Sequence, residues 1–420
     1  MRTRSILALI LALAPLSAAA AEVTLRPGSG ALARAIAAAM PGDTLILERG
    51  RYAGPVRIDK PLALVGRGAE VAGEGTGTVI DVTAPGVILR GLTVTGAGNR
   101  LDKLDSGIAL QKGATGALVE GNTLLGNLIG IDVQGARDVT VRGNTIVGRD
   151  DLRVPERGPG IYVWNAPGLL VEDNRISKGR DGIFVTTSDK ATYRRNVLTD
   201  LRYGFHSMHA NQLVVEDNVS RGNTMGFALM YSRRLQVRRN LSQGDTAHGF
   251  FMNFANRAEL DGNEVRDGGE KCLFVYNSNI NRIVNNRFQG CGIGVHFTAG
   301  SERNVISGNA FMGNRLQVKY VGTRWLEWSE DGRGNYWSDH VAFDIDADGR
   351  ADSPYRPNTA IDRVVWSQPM AKLLMGAPAV QLIRWSQQRF PGLLPGGVID
   401  SAPLVTPAGA GLPRTKGDQS

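Results

Sequence analysis

The sequence predicts an all-β protein: a right-handed parallel β-helix, a solenoid of coils about 22–23 residues long. Two observations carry this. Asparagine recurs at Asn99, Asn122, Asn144, Asn174, Asn196, Asn218, Asn240, Asn263, Asn286 and Asn309; eight of the nine intervals are 22 or 23 residues, and the ninth, Asn144 to Asn174, is 30. Eight residues after most of them a glycine opens a short alternating strand, as in Gly130-Ile-Asp-Val, Gly182-Ile-Phe-Val, Gly204-Phe-His-Ser, Gly226-Phe-Ala-Leu and Gly294-Val-His-Phe. Three strands of about 3–5 residues with their turns use one such period, and coils then stack about 4.8 Å apart.

The asparagines read as an internal ladder. A short amide side chain tolerates a left-handed turn and bonds to its copies above and below. Within a strand, alternation sends Ile131 and Val133 inward and Asp132 and Gln134 outward. The ladder holds the scaffold and does no chemistry.

Taken in order, residues 1–21 read as a secretory signal: Arg2 and Arg4, an apolar run from Ile6 to Leu13, and Ala19-Ala20-Ala21 before Glu22. The run is too short to span a bilayer. Gly30 to Met40 predicts an Ala-rich helix stopped at Pro41-Gly42 and covering the open sheet edge at the solenoid's end. Coils start at Thr44, run to about residue 340 and number roughly a dozen. Arg149 to Gly158 is a polar loop inserted in one coil. Cys272 and Cys291 stand about nine and five places after their ladder asparagines. That is ~13 Å out of phase along a strand, so only a turn that bends them together could bridge them.

The net charge of +8, or +6 without Arg2 and Arg4, comes with no basic run or basic–aromatic interleaving. This argues against nucleic acid and suits an acidic partner or lipid headgroups. In residues 341–358, Asp344, Asp346, Asp348 and Asp352 with Gly349 form a loop able either to wrap a hard cation such as calcium or to close on its own hydrogen bonds. Residues 359–402 are an apolar, partly helical extension broken by Pro369 and Pro378. It is either an end cap or a docking surface through Trp366, Met370, Leu373, Leu374 and Trp385. The tail from 403 to 420 is rich in Gly, Pro and Ala.

Chemistry concentrates between Tyr203 and Met252, in His206, Met208, His209, Met225, Met230, His248 and Met252. Met208, Met230 and Met252 each follow a ladder asparagine by twelve residues and are expected to stack. Met252's in/out phase depends on where its 23-residue coil places the extra residue. Thioether with imidazole suits a soft ion, and thioethers select Cu(I). His296 shares the phase of His206 but lies four coils, about 19 Å, away and is expected to join no common site. Parallel β-helices also act on acidic polysaccharides, so an exported uronate lyase or epimerase is the alternative. Against it, Asp181 and Asp200 read as turn residues beside basic ones, with no convergent acidic pair.

Together, Pro41-Gly42-Asp43-Thr44, Gly50-Arg51-Tyr52, Gly204-Phe-His-Ser-Met208-His209, Met230-Tyr231-Ser232, Gly334-Asn-Tyr-Trp-Ser-Asp339 and Asp352-Ser-Pro-Tyr355 make the chain resemble the NosD family. These are periplasmic accessory proteins for assembling the copper centres of nitrous oxide reductase. The resemblance implies a non-catalytic docking protein. It would bind or relay Cu(I) and associate at the inner membrane with an ABC transporter's membrane subunit and ATPase (NosY and NosF). It would also contact a copper chaperone and the apo-reductase.

Overall fold

The structure, a computed structural model, describes residues 20–358, 362, 366, 370–371, 377–389 and 396–407. The expected signal, Leu373, Leu374 and most of the expected Gly/Pro/Ala tail lie outside the described residues.

Three parallel sheets of 13, 12 and 13 strands run the length of a parallel β-helix, matching the dozen coils expected. Each coil visits the three in turn; one passes through Thr192–Arg194, Val197–Thr199 and Tyr203–Met208. Strands of the third sheet are mostly the longest, at up to six residues. Inward positions stack without offset: Val141, Val171, Tyr193, Val215 and Val237 succeed one another in the first sheet and are fully buried. Burial of such side chains contributes about 1.5–3 kcal/mol each and is the main stabilising term.

The solenoid begins one coil earlier than Thr44. Glu22–Leu25 pairs in parallel with Thr44–Leu47, and helix α1 (Ala31–Ala38) lies between them in sequence, burying Leu32 and Ile36 against the core. Gly30 precedes it with φ 63°, a left-handed value that glycine adopts without a Cβ penalty.

The ladder is present from Asn122 onward. Asn122 Oδ1 accepts from Leu92 N–H, and each later Oδ1 accepts both the backbone N–H and the Nδ2–H of the asparagine one coil back; for Asn218 these come from Asn196 at 3.0 and 2.9 Å. Each Nδ2 also donates to a carbonyl inside the coil, as Asn218 does to Tyr193 O at 2.9 Å. Asn99 is a correction: it is exposed and its Oδ1 accepts from Arg149, outside the ladder. The ladder instead gains Asn335, which accepts from Asn309, and ends on Asp400. The buried Asp400 carboxylate accepts from Asn335 N (2.7 Å), Asn335 Nδ2 (3.2 Å) and Trp337 Nε1 (2.8 Å).

Cys272 and Cys291 form a disulfide with Cα atoms 5.6 Å apart. The turn that such a bridge requires is present, because Cys291 is not in a strand. It sits in the corner between Arg287–Gln289 and Ile293–Thr298, and that corner folds it over the start of the Lys271–Tyr276 strand below. The C-terminal segment is not separable at residue 403. Gly397–Ile399 pairs in parallel with Trp325–Glu327, and Asn335 is bonded by Leu404 N. Residues 396–407 therefore belong to the end of the solenoid, where they cover its last open rung.

Replacing Asn218 by Ala strands the buried Asn196 N–H. It is expected to lower the unfolding free energy by on the order of 2–3 kcal/mol in denaturant titrations, whereas Asn99→Ala stays within about 0.5 kcal/mol. Equal effects would contradict the ladder. Asp400→Ala removes an acceptor from three buried donors and is expected to lower Tm more than Asp352→Ala, measured by circular dichroism.

Candidate metal-binding face

The outer face of the third sheet carries the candidate chemistry. Its pairing register fixes three columns along the solenoid. One runs Asp181, Tyr203, Met225, His248, Lys271, Ile293. The next runs Tyr162, Phe184, His206, Ala228, Phe251, Phe274, His296, Lys319. The third runs Thr186, Met208, Met230, Asn253.

His206 is the most constrained of these side chains. Its ring stacks on Phe184 at 4.5 Å between centroids and meets the Tyr203 edge at 5.0 Å. Its Nδ1 lies 3.2 Å from the Asp181 carboxylate. Asp181 is fully buried and also receives Arg202 through two bonds of 2.9 and 2.7 Å. Burial pushes the Asp181 carboxyl upward, but hydrogen bonds from His206 and the Arg202 guanidinium outweigh it and hold the group below its ordinary value. An ionised carboxylate only accepts, so Nδ1–H donates to it and Nε2 is the ring nitrogen left to face a ligand. That Nε2 is buried and has no hydrogen-bond partner. An imidazole oriented by a carboxylate, with the other nitrogen free, is the usual outer-shell arrangement of a metal-binding histidine.

Ala228 is the one small side chain between the rings of His206 and Phe251. Met225 and Met230, on the same strand, are half-buried, and Met208 pairs with Met230 in register. His248 stands beside Met225 in register, nearly buried, with Nδ1 unpartnered. Burial lowers its basicity, only partly offset by the Ala247 backbone. His248 and Met225 thus stand in the first column, five residues or about 16 Å along the strand from the Met208–Met230 column, with the His206 column between them.

The structure separates two of the seven predicted residues from this face. The extra residue of the Asn240 coil falls before Gly249, so Met252 pairs with Leu229 and is wholly buried in the core, while Asn253 follows Met230. His209 lies in a left-handed turn (φ 53°), exposed, and stacks on Tyr231 rather than facing inward to His206.

Two residues escaped sequence reasoning. Asp181 is not a turn residue but opens the Asp181–Thr186 strand beneath Tyr203. Aligning Asp181-Gly182 with Tyr203-Gly204 shows this. His296 is joined to His248 through Phe274, which stacks on His296 at 4.7 Å and meets His248 edge-on at 5.5 Å. Burial, with Lys319 and Lys271 nearby, pushes the His296 imidazole down to about 4. The face extends two coils further than the spacing from His206 implied.

Elsewhere, ligand atoms of Asp344, Asp346 and Asp348 come within 4.8 Å of one another. The Asp344 carboxylate accepts from Asp348 N and Gly349 N, and Asp352 accepts from Ile345 N, so the loop closes on its own hydrogen bonds. In the C-terminal extension, helix α2 (Pro378–Arg389) leaves Leu382 and Trp385 64% and 57% exposed, and Met370 is 76% exposed. Trp366 is half-buried, with the Lys319 ammonium 5.9 Å from its ring centroid.

This architecture defines a solenoid whose outer sheet face carries methionine and histidine side chains in three columns. The family described as "Periplasmic copper-binding protein (NosD)" matches residues 143–342. Two relatives are named "Probable ABC transporter binding protein NosD". That of Pseudomonas aeruginosa PAO1 is 48% identical over 373 residues, 86% of this chain and 87% of the relative. That of Stutzerimonas stutzeri is 46% identical over 374 residues, 86% of each. The chain belongs to the NosD family. Its fold is similar to that of a PL6 alginate lyase in complex with a trisaccharide (TM-score 0.54, 11% identity, 73% of this chain and 86% of that one). It is also similar to the Dettilon tailspike protein (TM-score 0.50, 14% identity, 72% and 66%). At these identities the likeness extends to the fold alone.

Asp181→Asn keeps the shape but removes the charge that orients His206. It is expected to weaken any metal bound through Nε2 by about 10–100-fold, read by competition with a chromophoric chelator. The folded pKa of Asp181 is depressed, so its stabilisation is present above about pH 4 and lost as pH falls through the folded value. The Asn variant should lack this acid-dependent loss in denaturant titrations.

Proposed function

We propose that this chain is a non-catalytic periplasmic docking component of an ABC transporter complex. It binds Cu(I) as cargo on the outer face of the third sheet during assembly of the copper centres of nitrous oxide reductase. The observation that carries the reading is the buried, unpartnered Nε2 of His206, held by Asp181 and Arg202 beside a methionine-rich strand pair. His206 supplies a fixed imidazole with the Met208 and Met230 thioethers on one side of it along the strand, and Met225 with His248, an imidazole kept neutral by burial, supplies donors on the other side. Thioether and imidazole together select Cu(I) over hard cations. The family's description and the names of the two relatives agree with copper binding and with a transporter.

In this reading a copper chaperone delivers the ion, the apo-reductase receives it, and the transporter's ATPase (NosF) supplies the energy. Among the described residues no helix is long and apolar enough to cross a membrane. Helix α2, with Leu382, Ile383 and Trp385 exposed, would hold the protein against the transporter's membrane subunit (NosY) at the inner membrane. Exposed aromatic anchors of this kind dominate such contacts.

Changing His206, Met208 and Met230 together to Ala is expected to weaken Cu(I) binding at least tenfold in chelator competition, with an unchanged circular dichroism spectrum. Parental affinity in the triple variant would place the site elsewhere. Lyase or epimerase activity of the parent on uronate polymers would replace the reading with the enzymatic one. Leu382→Glu with Trp385→Glu is expected to abolish co-purification with the transporter while Cu(I) affinity stays unchanged.

A further inference from the structure

Beyond the copper face, the turn that follows each third-sheet strand builds a second surface. We infer that this edge is a docking trough for an extended, acidic polypeptide segment of a protein partner. Two adjoining cavities of about 460 and 480 Å³, both lined by Arg233 and Arg257, lie in line along this edge as the two halves of the trough. It crosses six successive turns, from Asp189 to Arg303. Five steps of about 4.8 Å make it about 24 Å long, the span of roughly seven extended residues.

Charge decides the class of partner. Arg233, Arg234, Arg257 and Arg303 line the trough, are exposed, and meet no carboxylate at ion-pair distance among the described residues. Arginines on the first sheet's flank behave differently: Arg142 pairs with Glu120, Arg194 with Glu172, and Arg239 with Glu216 and Asp217. The trough's two carboxylates lie at its ends and are occupied. Asp189 accepts from Asn211 N and Nδ2, and Glu302 pairs with Arg324. Guanidinium forks match carboxylates bidentately.

The floor is rigid. Asn211 Oδ1 accepts from Arg233 N, Asn256 Oδ1 from Asn279 N, and Asn279 Oδ1 from Glu302 N, which staples each turn to the next. Such preorganisation lowers the ordering cost of binding.

The aromatic rim favours polypeptide over carbohydrate. His209, Tyr231 and Phe254 stack face to face at 5.1 Å steps, and Tyr276 closes the stack edge-on. Stacking covers both faces of Tyr231 and one face each of His209 and Phe254, which leaves little ring face for a pyranose. Ring edges carry the positive part of the aromatic quadrupole and attract carboxylates.

The test is fluorescence anisotropy with a labelled heptaglutamate peptide and the full chain. Expected is saturable binding that weakens as salt rises, and at least a tenfold loss in Arg233→Gln/Arg257→Gln. The charge-matched control, Arg49→Gln/Arg67→Gln, removes two exposed arginines remote from the trough and is expected to bind like the parent. Absence of saturable binding, equal affinity in the trough variant, an equal loss in the control, or tighter binding of a uronate heptamer would each overturn the assignment. The trough variant's Cu(I) affinity should equal the parent's, so this inference and the copper reading fail separately.

Discussion

Everything in this molecule depends on vertical registry between coils. Backbone hydrogen bonds of three parallel sheets set the coil spacing, and the buried asparagine row makes that spacing the same at one turn of every coil from Asn122 to Asn335. A parallel strand pairing that slipped by one residue would turn inward side chains outward. The ladder opposes such a slip, because each amide bonds to both the backbone and the side chain of its neighbour. Asp400 completes the row with an acceptor where no further coil supplies one.

Registry also makes function possible on a repetitive scaffold. A column of equivalent positions brings residues about 22 apart in sequence into contact, so a site can be assembled from successive coils without a specialised loop. His206 meets Asp181, one coil back in the neighbouring column, across 25 residues. The same logic stacks Phe184, His206, Phe251, Phe274 and His296 into a nearly continuous array of rings, interrupted at Ala228. The His206–Asp181–Arg202 cluster is buried and hydrogen-bonded on the Asp181 side, which leaves one imidazole nitrogen for a ligand or a water molecule to meet.

Two outer surfaces differ in chemistry. The sheet face concentrates sulfur and imidazole in a half-buried setting, whereas the adjoining turn presents arginine and aromatic edges to solvent. One suits a soft ion and the other an acidic chain. Along the same third-sheet strands Met208 is followed directly by His209 and Met230 by Tyr231, so the proposed copper face and the proposed trough lie within one or two residues of each other.

The period of the asparagines, the glycine that opens each third-sheet strand and the in/out alternation determined the solenoid, the approximate coil count and the outward placement of His206, Met208 and Met230. These are properties of local spacing, and a strictly repeating fold turns spacing directly into position. What spacing cannot carry is the location of an extra residue within a coil. That is why Met252 belongs to the core and Asn253 takes the place beside Met230. Nor can it carry a contact made at a corner, which brought Cys291 onto Cys272. The return of a distant segment is equally invisible locally: Asp400 reaches the ladder across 65 residues. The orienting of His206 by Asp181 and the unpaired state of its Nε2 were likewise decided by tertiary packing, because burial and partner choice depend on neighbours in three coils at once.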